Sequence, residues 1–142
     1  GAARAVVAGL QDAGATRILL ANRSPGRAAE LAGDLGVETL DWADRGAALE
    51  EAALLVNTTS LGMHGQPELD IDLAKLTPRT LVADIVYVPL ETRLLAQARA
   101  RGCRTVDGLG MLLHQARPAF RDWFGVMPDV TGELRAMIEA TL

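Results

Sequence analysis

The sequence predicts an α/β fold with a doubly wound, mostly parallel sheet. Three observations carry that reading. Short apolar runs alternate with amphipathic stretches at helical spacing, glycine or proline punctuates most junctions, and polar residues follow the apolar runs at their C-terminal ends. A chain of 142 residues is one domain by ordinary length and can bury a real core.

After Arg4, the residues Val6, Val7, Leu10 and Ala13 form an apolar stripe that ends at Gly14, so the sequence opens at or just inside a helix. Gly1-Ala2-Ala3 ahead of it reads as the tail of a glycine-rich turn or as an untidy terminus. Ile18 to Ala21 is short and apolar, as a buried parallel strand is. Pro25 suits the first turn of a helix that Ala28, Ala29, Leu31, Ala32 and Leu35 continue and Gly36 stops. Glu38 to Leu40 predicts a short strand, Ala47 to Ala53 a short helix, and Leu54 to Asn57 a third strand. The hydroxyl-rich stretch Thr58-Thr59-Ser60-Leu61-Gly62-Met63 follows, and His64 to Pro67 is loop with an exposed histidine.

Leu73 to Leu76 predicts one helical turn, and Thr80 to Val86 is the clearest strand, carrying Asp84 inside it and closing at Tyr87-Val88-Pro89. Thr92 to Arg101 is an amphipathic helix stopped by Gly102. Cys103 to Asp107 is a fifth strand ended by Gly108-Leu109-Gly110. Met111 to Trp123 predicts a helix packed through Leu112, Leu113, Ala116, Phe120 and Trp123, with Met111 and Gln115 sharing another face. Pro118 inside it is expected to bend or break the helix near His114. Thr131 to Leu142 forms the last helix, with Leu134, Ile138 and Leu142 on one stripe.

The composition narrows the classes of function. A net charge of -4 gives no electrostatic reason to expect nucleic acid. The single cysteine, Cys103, cannot form a disulfide within the chain and suits a reducing cytoplasm, and no secretion leader is read at Gly1. Two histidines and one cysteine make a zinc cluster unexpected. No apolar segment approaches the roughly 20 residues needed to span a bilayer. A hydrophobic content of 49% fits a domain that covers part of its surface with something else.

In an open α/β sheet, ligands sit outside the carboxyl ends of the strands. Asn22, Arg23 and Ser24 stand there, where the second strand of a dinucleotide-binding unit meets the adenosine ribose. A carboxylate at that place accepts from a 2′-hydroxyl, whereas an arginine fork pairs with a 2′-phosphate. Arg23, with Ser24 and with Arg27 one turn on, therefore favours NADP over NAD. Taken alone, the same residues fit an ordinary solvated strand-to-helix loop equally well. The hydroxyls after the third strand are similarly open between ribose or phosphate contacts and simple turn bonds.

Four stretches taken together resemble one family. They are Asn22-Arg23-Ser24 with Arg27; Asn57 to Met63; Asp84-Ile85-Val86-Tyr87-Val88-Pro89-Leu90-Glu91-Thr92; and Thr105-Val106-Asp107-Gly108-Leu109-Gly110-Met111-Leu112-Leu113-His114-Gln115. In this order they resemble the C-terminal, NADP-binding half of shikimate dehydrogenase, in the shikimate/quinate dehydrogenase family. The resemblance covers essentially the whole chain. It implies a Rossmann-like sheet lacking its first strand, with C-terminal helices. It also implies roles: Gly1 and Ala2 at the end of the phosphate turn; Asn22, Arg23, Ser24 and Arg27 at the 2′-phosphate and adenosine; Thr58 and Ser60 near the ribose. Ile85, Gly108 and Met111 would lie at the nicotinamide end, and Tyr87 and Gln115 would reach the shikimate hydroxyls and carboxylate region.

The implied reaction is reversible reduction of 3-dehydroshikimate to shikimate by NADPH, in chorismate and aromatic amino acid biosynthesis in the cytoplasm. The family's N-terminal domain supplies a lysine and an aspartate for proton transfer, and no motif like Asn-Val-Thr-x-Pro-x-Lys occurs here. Lys75, the one lysine among fourteen lysines and arginines, stands in the wrong context. No residue of this chain is therefore assigned as catalytic acid or base. The expectation is residues 1–142 as an NADP-binding domain truncated at its N-terminus, inactive alone, whose partner is the missing N-terminal domain. A homodimer, a non-catalytic nucleotide-binding or regulatory module, and an NAD-using quinate/shikimate dehydrogenase stay open.

Overall fold

The computed structural model describes residues 1–142. The first half of the chain is a small α/β unit: α1 (Ala2–Asp12), β1 (Leu19–Ala21), α2 (Pro25–Leu35) and β2 (Glu38–Leu40). β1 and β2 pair in parallel, Leu19 opposite Glu38 and Ala21 opposite Leu40. Pro25 begins α2 and Gly36 ends it in the left-handed conformation, as the sequence predicts. Ala28 and Ala32 are buried, their small side chains suiting the close packing of α2 on its neighbours. Arg4 pairs with Asp34 at 2.6 Å, and the Gln11 amide donates to the Leu35 carbonyl at 2.7 Å, joining α1 to α2.

A 3₁₀ helix (Trp42–Glu50) leads into the second half. This corrects the short helix expected at Ala47–Ala53: the coil begins five residues earlier, tightens to 3₁₀ geometry, and ends before Glu51. The second half holds β3 (Leu54–Asn57), β4 (Leu81–Asp84), α3 (Arg93–Ala100), β5 (Arg104–Val106), α4 (Leu109–Phe124) and α5 (Gly132–Glu139). Its three strands run parallel in the order β3-β4-β5, with Leu54 opposite Leu81 and Leu81 opposite Arg104. The core sits on this half: Leu49, Leu73, Leu76, Val82, Leu94, Leu95, Ala98 and Cys103 form one buried cluster. Thr92 caps α3 by accepting from the Leu95 amide.

Several expectations change in three dimensions. The strand expected at Thr80–Val86 is only Leu81–Asp84, because the Asp84 side chain takes the Val86 amide that would have extended the ladder. The fifth strand shortens to Arg104–Val106. α4 runs unbroken through Pro118, which is exposed, so the helix continues where a break near His114 is expected. The packing set of α4 is also wrong at its end. Phe120 is 42% and Trp123 77% exposed, because within this chain the C-terminal half of the helix has nothing over that face. Leu19 is 37% exposed although its strand reads as buried. Its sheet is not continuous with the other: β1 pairs only with β2, and β3 only with β4.

Gly33 lies inside α2, and no atom comes within 4 Å of the point where a methyl group would stand. Gly33→Ala should therefore stabilise the fold by about 0.5–1 kcal/mol through lower backbone entropy of the unfolded chain. Urea unfolding reads this, and a loss of stability would contradict a regular, open helix at that position.

Candidate functional site

Parallel strands deliver their C-terminal ends to one edge of each sheet, which is where an α/β fold places its ligands. At the end of β1, the Asn22 Oδ1 accepts from the Ser24 amide at 2.9 Å, which folds the turn into α2. Arg23 and Arg27 are exposed there. No carboxylate pairs with either guanidinium, whereas Arg4, Arg17, Arg99 and Arg135 are each ion-paired. Gly1 caps the start of α1 without a side-chain bond and is exposed, and Ala2 is half-buried.

The ends of β3 and β4 are built around a buried polar cluster that sequence reasoning missed. Asn57 and Asp84 are opposite each other in the β3–β4 register and are 4% and 2% exposed. The Asn57 Nδ2 donates to Asp84 Oδ1 at 3.0 Å and to the Leu61 carbonyl at 3.1 Å. Its Oδ1 accepts from the Thr59 amide at 3.0 Å and the Thr59 hydroxyl at 2.8 Å. Asp84 also accepts from the Val86 amide at 3.0 Å and from the Thr92 hydroxyl at 2.8 Å. A buried carboxylate is tolerable only when its oxygens are satisfied in this way. The signal in the sequence is an acid inside an apolar run, but its partner lies 27 residues away.

This cluster divides the hydroxyls after β3. Thr59 is consumed by the turn, its Oγ1 accepting from the Leu61 amide at 3.0 Å. Thr58, half-buried, and Ser60, exposed, keep their hydroxyls outside these bonds. Beyond β4, Ile85 and Tyr87 are half-buried. The next loop presses on them from the side: the Gly108 amide donates to the Val86 carbonyl at 3.1 Å. A methyl group on Gly108 would collide with the carbonyl oxygens of Ile85 and Val86. Gly108 itself is buried, so its first role is this close approach of two loops.

Asp107 then opens α4, accepting from the Leu109 amide at 3.0 Å, and pairs with Arg135 of α5 at 2.7 Å. That hydrogen bond raises the Arg135 pKa above its ordinary value and fixes α5 to the start of α4. Met111 is half-buried and Gln115, one turn on, is exposed. Lys75 lies apart from these loops in sequence and is exposed, bonded to Glu50 at 2.9 Å. The structure thus sets Asn22 to Arg27 on the first half, and Thr58, Ser60, Ile85, Tyr87, Gly108, Met111 and Gln115 on the second.

Strand order, parallel pairing and loops gathered at strand ends define a Rossmann-type α/β domain. The family model of the shikimate 5'-dehydrogenase C-terminal domain matches residues 108–140. Over 97% of its length the chain is 63% identical to a shikimate dehydrogenase (NADP(+)) of Paramagnetospirillum magneticum, and over 100% it is 61% identical to one of Rhodopseudomonas palustris. The chain spans about half the length of these curated relatives, 51% of each. Among solved structures, a quinate dehydrogenase from Corynebacterium glutamicum in complex with NAD matches with a TM-score of 0.89 at 35% identity, covering 100% of this chain and 53% of that one. A shikimate 5-dehydrogenase from Thermus thermophilus in complex with NADP(H) and shikimate matches with a TM-score of 0.78 at 33% identity, covering 96% of this chain and 48% of that one. The chain thus matches the C-terminal domain of the shikimate dehydrogenase family.

Asp84→Asn keeps the shape of the side chain but replaces a charged acceptor of three bonds with an amide that faces donors. It should cost about 2–3 kcal/mol, since hydrogen bonds to a charged group contribute about 1.5–3 kcal/mol each. Chemical denaturation measures the change, and a loss below about 0.5 kcal/mol would remove the cluster from its organising role.

Proposed function

We propose that this chain is the coenzyme-binding part of an NADP-dependent shikimate dehydrogenase, acting in reversible reduction of 3-dehydroshikimate to shikimate. The observation that carries the reading is the end of β1, where Arg23 and Arg27 stand exposed with no carboxylate partner beside the turn closed by Asn22. In this fold class an arginine there accommodates a 2′-phosphate, and a carboxylate there would hold a 2′-hydroxyl. The sequence likeness to relatives named for NADP(+) supports the same choice.

The residues present fit the coenzyme. Arg23 and Arg27 offer planar, permanently charged forks to a phosphate. Ser24 offers a neutral hydroxyl beside Arg23, and the start of α1 at Gly1 and Ala2 is assigned to the coenzyme's phosphates. Thr58 and Ser60 hold hydroxyls that the β3 turn does not use. Ile85, Gly108 and Met111 are assigned to the nicotinamide end, where half-buried Ile85 and Met111 offer apolar surface to a flat ring. Bound NADPH supplies the hydride.

Tyr87 and Gln115 serve as substrate contacts, a phenol at the end of a strand and an amide on α4, each able to donate to and accept from a polyol. Neither is assigned a proton-transfer role. Lys75 is unsuited to one: its hydrogen bond to Glu50 raises its pKa and keeps it an ammonium at the surface. Proton transfer is therefore assigned to the part of the relatives that this chain does not span, and the chain alone should bind coenzyme without turning over.

A second reading has one observation in its favour, the match to a quinate dehydrogenase in complex with NAD. Calorimetric titration of both coenzymes separates the two. Arg23→Ala should weaken NADP binding by about 10- to 100-fold, the loss of a charge-assisted pair, and leave NAD affinity unchanged. Equal losses for both coenzymes, or tighter binding of NAD by the parent chain, would favour the second reading.

A further inference from the structure

Tyr87 lies beyond the end of β4, yet the backbone is held on both sides of it. The carbonyl before it, on Val86, accepts from the Gly108 amide at 3.1 Å, and the carbonyl after it, on Val88, accepts from the His64 amide at 2.9 Å. The Val86 amide in turn donates to Asp84 Oδ1 at 3.0 Å. The loops after β3, β4 and β5 thus converge on the residues that flank one phenol. Thr92, at the start of α3 and 2% exposed, touches two of these arms. Its hydroxyl donates at 2.8 Å to Asp84 Oδ2, the other oxygen of the carboxylate that takes the Val86 amide. Its carbon atoms lie beside Gly62: a methyl group on Gly62 would stand 3.6 Å from Thr92 Cβ and 3.7 Å from Cγ2. Gly62 is buried and turns with φ +90°, in the left-handed region, just before the His64 amide that holds Val88.

We propose that Thr92 is a positioning residue for Tyr87 and acts through both branches of its side chain. The hydroxyl fixes the Asp84 carboxylate, and Asp84 fixes the backbone of Val86, next before Tyr87. The methyl group fills the space beside Gly62, and the loop that turns there delivers the His64 amide to Val88, next after Tyr87. Both demands together select threonine. Serine keeps the hydroxyl and loses the methyl group, whereas valine does the reverse at nearly the same volume. Capping α3 requires less than this. The Leu95 amide reaches Thr92 Oγ1 only at 3.4 Å, and serine caps a helix as well as threonine does. Thr131 shows what a cap alone looks like: it accepts from the Leu134 amide at 3.1 Å at the start of α5 and is exposed. A phenol that contacts substrate has to be presented at one place, because a displacement of about 1 Å at such a group is costly. The use of this device rests on Tyr87 being the substrate contact proposed above; its geometry does not.

Tyr87 is the one tyrosine of the chain, so isotopic labelling of the tyrosine ring gives a single NMR resonance that reports its surroundings. The parent chain is compared with Thr92→Val, Thr92→Ser and Thr131→Val. Amide hydrogen exchange is read relative to Val82, which is fully buried in β4 and follows the stability of the whole fold. Thr92→Val should displace or split the Tyr87 resonance and speed exchange at Val86 at least about tenfold, since Asp84 loses a bond to its charge. Thr92→Ser should leave Val86 protected, displace the Tyr87 resonance less, and speed exchange at His64 about threefold or more. Thr131→Val should lower the urea midpoint while the Tyr87 resonance and the relative rates at Val86 and His64 stay as in the parent. A role confined to capping predicts that Thr92→Val behaves as Thr131→Val does and that Thr92→Ser matches the parent; either result overturns the proposal. If Thr92→Val does not fold, Thr92→Ser decides: an unmoved Tyr87 resonance with an unchanged His64 rate overturns it. Titration of the parent with shikimate is a separate arm, which tests Tyr87 as a substrate contact and leaves the positioning result readable.

Discussion

The carboxylate of Asp84 is the constraint on which the second half of the structure depends. It sits in the middle of an apolar strand, 2% exposed, and draws its three donors from three elements: the Asn57 amide at the end of β3, the Val86 amide just beyond β4, and the Thr92 hydroxyl that caps α3. Removing a charge from water is costly unless each oxygen is satisfied. The chain therefore has few ways to fold around it. Meeting the demand of one side chain ends β4, shapes the turn after β3, and starts α3. The loops bearing Thr58, Ser60 and Tyr87 all leave from this point, so their directions follow from where the charge is buried.

The end of β1 is ordered in a different way. Its turn is closed by one exposed bond, from the Ser24 amide to Asn22, with no buried charge beneath it. Arg23 and Arg27 are exposed beside this turn and pair with no carboxylate. That suits long side chains meeting a phosphate, since a guanidinium fork brings its own geometry and the Coulomb attraction does not require a fixed rotamer. The two sets of strand ends thus use different physics: buried and fully satisfied hydrogen bonds on one, solvated charge on the other.

Much of this was legible in the sequence where the cause is local. Gly36 ends α2, Thr92 caps α3 and Pro25 opens its helix because each acts on backbone within a turn of itself. The strand ends carrying Asn22, Thr58, Tyr87 and Gly108 were legible for the same reason. The errors fall where a distant group decides. Val86 leaves the ladder for a side chain, the 3₁₀ helix begins at Trp42, and Gly108 is needed by carbonyls more than twenty residues earlier. Trp123 and Phe120 follow a helical packing stripe, yet the stripe says only which face is apolar, not whether anything covers it. The Asn57–Asp84 pair needed the register of two strands before it could be seen.

The separation of the two sheets has a consequence for selectivity at the strand ends. Ligands in this fold class bind at the point where strand order reverses, which here lies between β1 and β3, above a largely apolar cavity. Asn57, Thr58 and Thr59 line that cavity and also form the loop at the crevice. Between the two sheets the exposed ion pair of Arg17 with Glu51 is only a weak restraint. Recognition of an extended ligand depends on holding both of its ends at one separation.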